Sequence, residues 1–381
     1  MAESEEKIAS KPKIKKPPVK KPQPPKDLKP LAEVIAPRQL SIVRFSSNGK
    51  LLLGAGFDAK VFRWKLTQTE PTGDFSFSEL PPLEGHQGWI TGMALSAVDE
   101  RLYTADSWGN LICRSHADES FELRWSIAQA HEGWIRQVAV SPDGKIVATC
   151  GLDGKVKLWS ADNGKPLHSW GDHAADVYSV TFHPDDKSLV SGDIHGTIIQ
   201  WDIDKAKSVR RFEAEVLYFA DEDTLQDVGG VRRLIFDTTG RTLAACGGKP
   251  SSGGFVKSTP VIRFFDWATG ETIETREFGH EKAGFVHDAL FHAKGYLIGI
   301  TSGMPGEGQL FFWRPGEEKP YFIYSKLFNC HSVTLHPDVV RFAVASTGKK
   351  NASNGRDATT DEAYEGNISP ISLWDVTQFN G

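Results

Sequence analysis

"HEGWIRQVAVSPDGKIVATCGLDGKVKLW" (residues 131–159) is the stretch on which the fold turns. It reads as an alternating strand, an "SPDG" turn, an apolar strand, a Gly/Asp turn, and a second alternating strand ending in Trp. Period-2 alternation bounded by Pro, Asp and Gly marks short strands joined as hairpins. The same stretch holds His131, Thr149, Asp153 and Trp159. Either they assemble a hydrolytic site, or they form a polar clip within a small sheet.

The stretch recurs. "IVRFSSNGKLLLGAGFDAKVFRW" (42–64) and "SVTFHPDDKSLVSGDIHGTIIQW" (179–201) align with "QVAVSPDGKIVATCGLDGKVKLW" (137–159). Fainter copies are "GMALSAVDERLYTADSWGNLICR" (92–114), which lacks the Trp, and segments within 233–267, 288–313 and 332–375. Seven units of about 49 residues therefore fill residues 37–381. Tandem units of this length mean stacked supersecondary modules rather than one continuous core.

The repeats resemble the WD-repeat β-propeller family. Gly-His or Xaa-His pairs stand at Gly85–His86, Ala130–His131, Asp172–His173 and Gly279–His280. Trp or Trp-Asp closes the third strand at Trp64, Trp159, Trp201–Asp202, Trp313 and Trp374–Asp375. The resemblance covers residues 31–381. It implies an all-β fold, a seven-bladed β-propeller closed by an N-terminal strand, with a disordered N-terminal tail. Residues 1–30 are then the tail and 31–381 the propeller. The chain reaches only a third strand in its last unit, and "LAEVIAP" (31–37) is the segment expected to supply the fourth.

The resemblance also implies that His131, Thr149, Asp153 and Trp159 form a structural tetrad. Hydrogen bonds would run from indole through hydroxyl and imidazole to carboxylate. A catalytic triad needs an exposed hydroxyl beside an oxyanion hole, and a Thr inside a strand offers neither. By sequence the tetrad is complete only in the third unit. In the fourth, His195 stands where Asp is expected, and in the second, Trp108 and Arg114 replace Asp and Trp.

Other motifs fail on context. "GAGFDA" (54–59) is followed by a strand, not the helix a dinucleotide site requires. "HPDD" (183–186) and "HPD" (336–338) read as turns rather than metal ligands, and no GxSxG, HExxH or paired-Cys motif occurs. Neither catalytic residues, a metal site nor a cofactor is expected. Cys113, Cys150, Cys246 and Cys330 lie far apart and read as buried free thiols of a reducing compartment. No secretory signal or membrane-length apolar run is present, so the expected location is cytoplasmic, or nuclear in a eukaryote through the Lys cluster. Residues 1–30 hold nine Lys against four acidic residues, a local +5, so the −5 of the whole chain leaves −10 on the body. An acidic body argues against nucleic-acid binding except through the tail.

Function on rigid scaffolds lives in loops. The turn between strands two and three is short in units one to four. It lengthens to "GGKPSSGGFVKSTP" (247–260), "TSGMPGEG" (301–308) and "TGKKNASNGRDATTDEAYEGNISP" (347–370) in the last three. The link "EVLYFADEDTLQDVGG" (215–230) ends on the same face. The channel mouth on that face should be lined by Ser41, Thr91, Arg136, Tyr178, Arg232, His287 and His331, preceded by Trp89, Trp134, Asp176 and Phe285. The expected function is a non-catalytic scaffold, monomeric by itself. It would bind a protein or acidic peptide through Trp89, Trp134, Arg136, Tyr178, Arg232, Phe285, His287 and His331. An enzyme or small-molecule site at the mouth using His287 and His331, and a subunit of a larger complex, are the alternatives.

Overall fold

A computed structural model describes residues 28–69, 73–116, 119–223, 225–252, 257–304, 306–348 and 368–379. The Lys/Pro-rich tail up to residue 27, and residues 349–367 of the longest expected loop, lie outside the described residues.

The repeats fold into seven four-stranded antiparallel sheets, each built from consecutive strands. Blade 3, the unit first quoted, comprises Ile135–Val140, Ile146–Gly151, Val156–Ser160 and Pro166–Trp170 from channel to rim. Blade 7 is composite. Ala32–Ala36 pairs antiparallel with Ser369–Asp375, Ala32 opposite Leu373 and Ala36 opposite Ser369, and closes the ring as the sequence predicts.

A four-stranded sheet cannot bury both faces alone, so each blade stacks on the next. The core follows this rule. Seven hydrophobic clusters occupy the seven gaps between neighbouring blades. In the gap between blades 7 and 1, Ile371 and Leu373 pack with Leu40, Phe62 and Trp64. Trp64, Trp201, Trp313 and Trp374, at equivalent ends of third strands, are fully buried. All four cysteines are buried and free. Among the described residues no helix is long and apolar enough to cross a membrane.

Two expected loops prove to be hairpins. The strands of blade 5 run on as Thr242–Ser252 and Lys257–Asp266, with Gly248 opposite Pro260 and Pro250 opposite Ser258. The link after blade 4 forms a two-stranded sheet of Tyr218–Asp221 and Gln226–Gly229. Pro260 is tolerated in this ladder because it is used as an acceptor, its carbonyl taking the Phe278 N–H.

The "HPDD" and "HPD" turns carry an unexpected link between blades. His183 Nε2 lies 2.8 Å from Gly240 O of blade 5, and His336 Nε2 lies 3.0 Å from Gly49 O of blade 1. His292 Nε2 makes the same contact with Val339 O of blade 7 at 2.7 Å. In each ring Nδ1 accepts a backbone N–H two residues on, at 3.1 Å, so Nε2 carries the proton and donates it across the gap.

Candidate functional site

The opening question resolves geometrically. Trp159 Nε1 donates to Thr149 Oγ1 (2.9 Å), which lies 2.7 Å from His131 Nε2, and His131 Nδ1 lies 2.8 Å from Asp153 Oδ1. The carboxylate only accepts, so Nδ1 holds the proton, Nε2 accepts from the hydroxyl, and the hydroxyl oxygen accepts the indole N–H. Thr149 and His131 are fully buried and every polar atom in the chain is used, which leaves no nucleophile for a substrate. Burial would raise the Asp153 carboxyl, but the bond and charge of His131 hold it down at about 2.

Two readings of the neighbouring units need correction. Blade 4 has a complete tetrad: Trp201 Nε1 donates to Ser191 Oγ (2.8 Å), His173 Nε2 lies 2.7 Å from that oxygen, and His173 Nδ1 lies 2.8 Å from Asp193 Oδ2. Blade 2 keeps His86, Thr104 and Asp106 at 2.7 and 2.9 Å, and only the Trp is replaced, by Arg114. The carboxylate has moved two residues, from the turn to the strand end, and residues two apart on a strand share a face. In blade 3 the strand-end position is Gly151, where a Cβ would stand 2.4 Å from Trp134 O and 3.1 Å from His131 Nδ1, so the turn residue reaches back instead. Gly151→Ala is therefore expected to cost about 1–3 kcal/mol in urea unfolding, from overpacking against backbone.

At the channel mouth, six inner strands share one irregularity. Register slips between Leu40 and Ile42, Ile90 and Gly92, Ile135 and Gln137, Val177 and Ser179, Val286 and Asp288, and Cys330 and Ser332. The skipped residues are Ser41, Thr91, Arg136, Tyr178, His287 and His331. Arg232 directly precedes the seventh inner strand, Arg233–Phe236. A β-bulge re-aims a side chain out of the pleat, here toward the channel.

These bulge residues connect the ring. Ser41 Oγ donates to Ile90 O (3.1 Å) and Thr91 Oγ1 to Ile135 O, joining blades 1 to 2 and 2 to 3. Arg136 grips Asp176 of blade 4, Nε at 3.0 Å and Nη2 at 2.5 Å from Oδ2. His287 Nδ1 lies 3.0 Å from His331 O, and His331 Nε2 lies 3.4 Å from Gln39 Nε2 of blade 1. Blades 4, 5 and 6 are joined differently, by stacking. The Arg232 guanidinium sits 4.4 Å from the Tyr178 ring and 5.1 Å from that of Phe285. Its Nε is buried without a hydrogen-bond acceptor.

The stack extends round the mouth. Arg136 lies between Trp134 (4.8 Å) and Tyr178 (4.7 Å), Trp134 meets Trp89 edge-on at 5.6 Å, and Trp89 meets Phe57 at 4.9 Å. An arc of aromatic and guanidinium groups thus runs through blades 1 to 6. It encloses a cavity of about 260 Å³ lined by Trp89, Trp134, Arg136, Tyr178, Arg232 and His287, with Ser41 and Thr91. His331 does not line this cavity but lies behind His287, ring centres 5.5 Å apart. Phe285 does not line it either, but touches the Arg232 that does. Phe57, 44% exposed, was missed by sequence reasoning because it sits in the first unit's tight turn rather than before an inner strand.

The electrostatics differ from the sequence expectation at one residue. Arg136 is no free cation, since Asp176 neutralises it; burial would lower its pKa, but the bond and charge of that carboxylate, together with Tyr178, raise it. Burial lowers the pKa of Arg232, and no carboxylate contacts it. Burial, then the charge of Arg232, lowers the pKa of His287; burial, then His287, takes His331 to about 3. Both imidazoles are neutral at pH 7. Among the described residues no three His, Cys, Asp or Glu side chains converge as metal ligands would. The two aliphatic hydroxyls of the mouth, Ser41 and Thr91, both donate to backbone carbonyls.

Residues 123–160 and 164–202 match the family model described as "WD domain, G-beta repeat". Each match begins on the outer strand of one blade and ends on the third strand of the next, so repeat and blade are offset by one strand. The matches cover the two blades with complete tetrads. Small ribosomal subunit protein RACK1z of Arabidopsis thaliana is 26% identical over 170 residues, 45% of this chain and 51% of that protein. Periodic tryptophan protein 2 homolog of Dictyostelium discoideum is 29% identical over 150 residues, 37% of this chain and 16% of that protein. Actin-interacting protein 1 of Drosophila melanogaster is 27% identical over 165 residues, 43% and 26% respectively. The chain spans about half or less of the length of these curated relatives.

Proposed function

This chain belongs to the WD-repeat β-propeller family, and from that premise we propose that it is a non-catalytic platform binding a protein or peptide partner at the aromatic channel mouth. Arg232 carries the reading. Its neighbours Ser41, Thr91, Arg136 and His287 spend their polar groups on the next blade, whereas Arg232 is stacked between ring faces and its Nε is buried without an acceptor. A cation held against aromatic rings and lacking a counter-ion recognises a carboxylate strongly, because such charge-assisted bonds are about twice as strong as neutral ones. Trp89 and Trp134 supply the large rigid contact surfaces that dominate interface energetics. The partner is thus a segment placing an Asp, Glu or terminal carboxylate at Arg232 and an apolar side chain against Trp89. The Lys-rich residues 1–30 add a cytoplasmic protein's electrostatic handle for an acidic surface.

The test is a peptide library probed with the full chain. Wild type should retain acidic–hydrophobic peptides, Arg232→Gln should lose the acidic preference, and Trp89→Ala should weaken all binding about thirtyfold or more. Trp89 is 44% exposed, so its loss should barely change the unfolding midpoint. Indifference of peptide retention to both substitutions would place the partner elsewhere.

A further inference from the structure

Beneath the mouth the channel holds a second charged site. Arg44 lies three residues along its strand from Ser41, hence about 10 Å deeper. On the inner strand of blade 6, Asp288 is flanked by two guanidinium groups. Arg233 Nε stands 3.1 Å from Oδ1 and Arg44 Nη1 stands 3.6 Å from Oδ2. The carboxylate is already heavily used: Oδ1 accepts Ala289 N–H at 3.0 Å, while Oδ2 accepts Ser332 Oγ–H and Val333 N–H, both at 3.1 Å. Arg44 Nη1 spends its protons on Val43 O and Ser332 Oγ. The Arg233 N–H is not directed at its carboxylate neighbour, so Nε is buried without an acceptor. Two cations therefore share one saturated anion, a local excess of +1 inside an acidic body.

Beside them opens a cavity of about 260 Å³, bounded by Arg44 and Arg233 and lined between them by Leu95, Ala139, Gln137 and Thr181. Met93 and Val180 are sealed behind this lining in the packing between blades. We infer that this cavity binds a small carboxylate anion, its carboxylate bridging Arg44 and Arg233 and its short chain against Leu95 and Ala139. The charge excess selects a monoanion, and the guanidinium forks suit a planar carboxylate. Burial, opposed by Asp288 and reinforced by Arg233, lowers the Arg44 pKa to about 10, the mark of an undercompensated cation. The site does not depend on the partner reading of the mouth.

Calorimetric titration of the full chain with sodium butyrate and, separately, inorganic phosphate tests this. Butyrate should give saturable heat and phosphate a weaker response. Arg233→Gln should weaken butyrate about tenfold to a hundredfold, the loss of a charge-assisted contact. Ala139→Leu fills the cavity without touching the arginines, so it should abolish butyrate binding even if Arg233→Gln fails to fold. Absence of saturable butyrate heat in wild type, or undiminished binding in Ala139→Leu, overturns the site. Phosphate binding as tight as butyrate overturns the carboxylate assignment.

Discussion

Asp288→Ala should lower the free energy of unfolding by about 3–5 kcal/mol in urea titrations, because removing one partner of a buried ionic cluster leaves the other charges uncompensated. The residue is 5% exposed and ties four blades together: Arg233 of blade 5, its own blade 6, Ser332 and Val333 of blade 7, and Arg44 of blade 1. Burial would raise its carboxyl, yet Arg233 and then Arg44 hold it below the ordinary carboxylate range, so it is ionised in the folded protein. Truncation strands two cations and three backbone or hydroxyl donors together. Asp288→Asn keeps an acceptor for Val333 and Ser332, so it should cost less than half as much. Asp288→Leu combined with Arg233→Met should recover much of the loss, since apolar groups replacing a buried pair are often neutral. A cost below about 1 kcal/mol for Asp288→Ala would mean the ring is held by apolar packing between blades alone.

The repeats made this architecture legible, down to Ala32–Ala36 completing blade 7. Period and turn chemistry are local, and a propeller is a sum of local units. What stayed hidden is mostly lateral. Asp106 and Asp193 were overlooked because a two-residue shift along a strand preserves the face, so spacing alone cannot fix which carboxylate meets the imidazole. The mouth residues could be named from their place before the inner strands. Their pairing could not, since Arg136 meets Asp176 across 40 residues of chain. The cluster of Arg44, Arg233 and Asp288 left no sequence signal, because its members lie on three blades and in no shared motif.

The last expectation concerns acid. His116, His131, His287 and His331 all have lowered pKa values with burial as the largest cause, and both ring nitrogens of His116 are buried without partners. An unfolded histidine titrates near 6.5, so between that pH and the lower folded value the unfolded chain binds more protons. Stability is then fully present above about pH 6.5 and falls as pH drops, by up to about 1.4 kcal/mol per unit for each such histidine. For His331 the window reaches down to about pH 3. His287 and His331 are only half-buried, and Asp153 offsets part of the cost at His131, so a loss of several kcal/mol between pH 7.5 and 5 is the expected sum. The carboxylates act later. Asp153 and Asp338, both held at about 2, contribute stability above about pH 4 that is lost only as pH falls toward 2. Chemical denaturation across pH should therefore show a first decline near 6.5, shallower by about one proton in His331→Gln. In the same window burial and Arg232 keep folded His287 unprotonated, so affinity for an acidic peptide at the mouth should hold while stability falls. A partner whose binding weakened in step with stability would be reading the fold of the mouth rather than its charge.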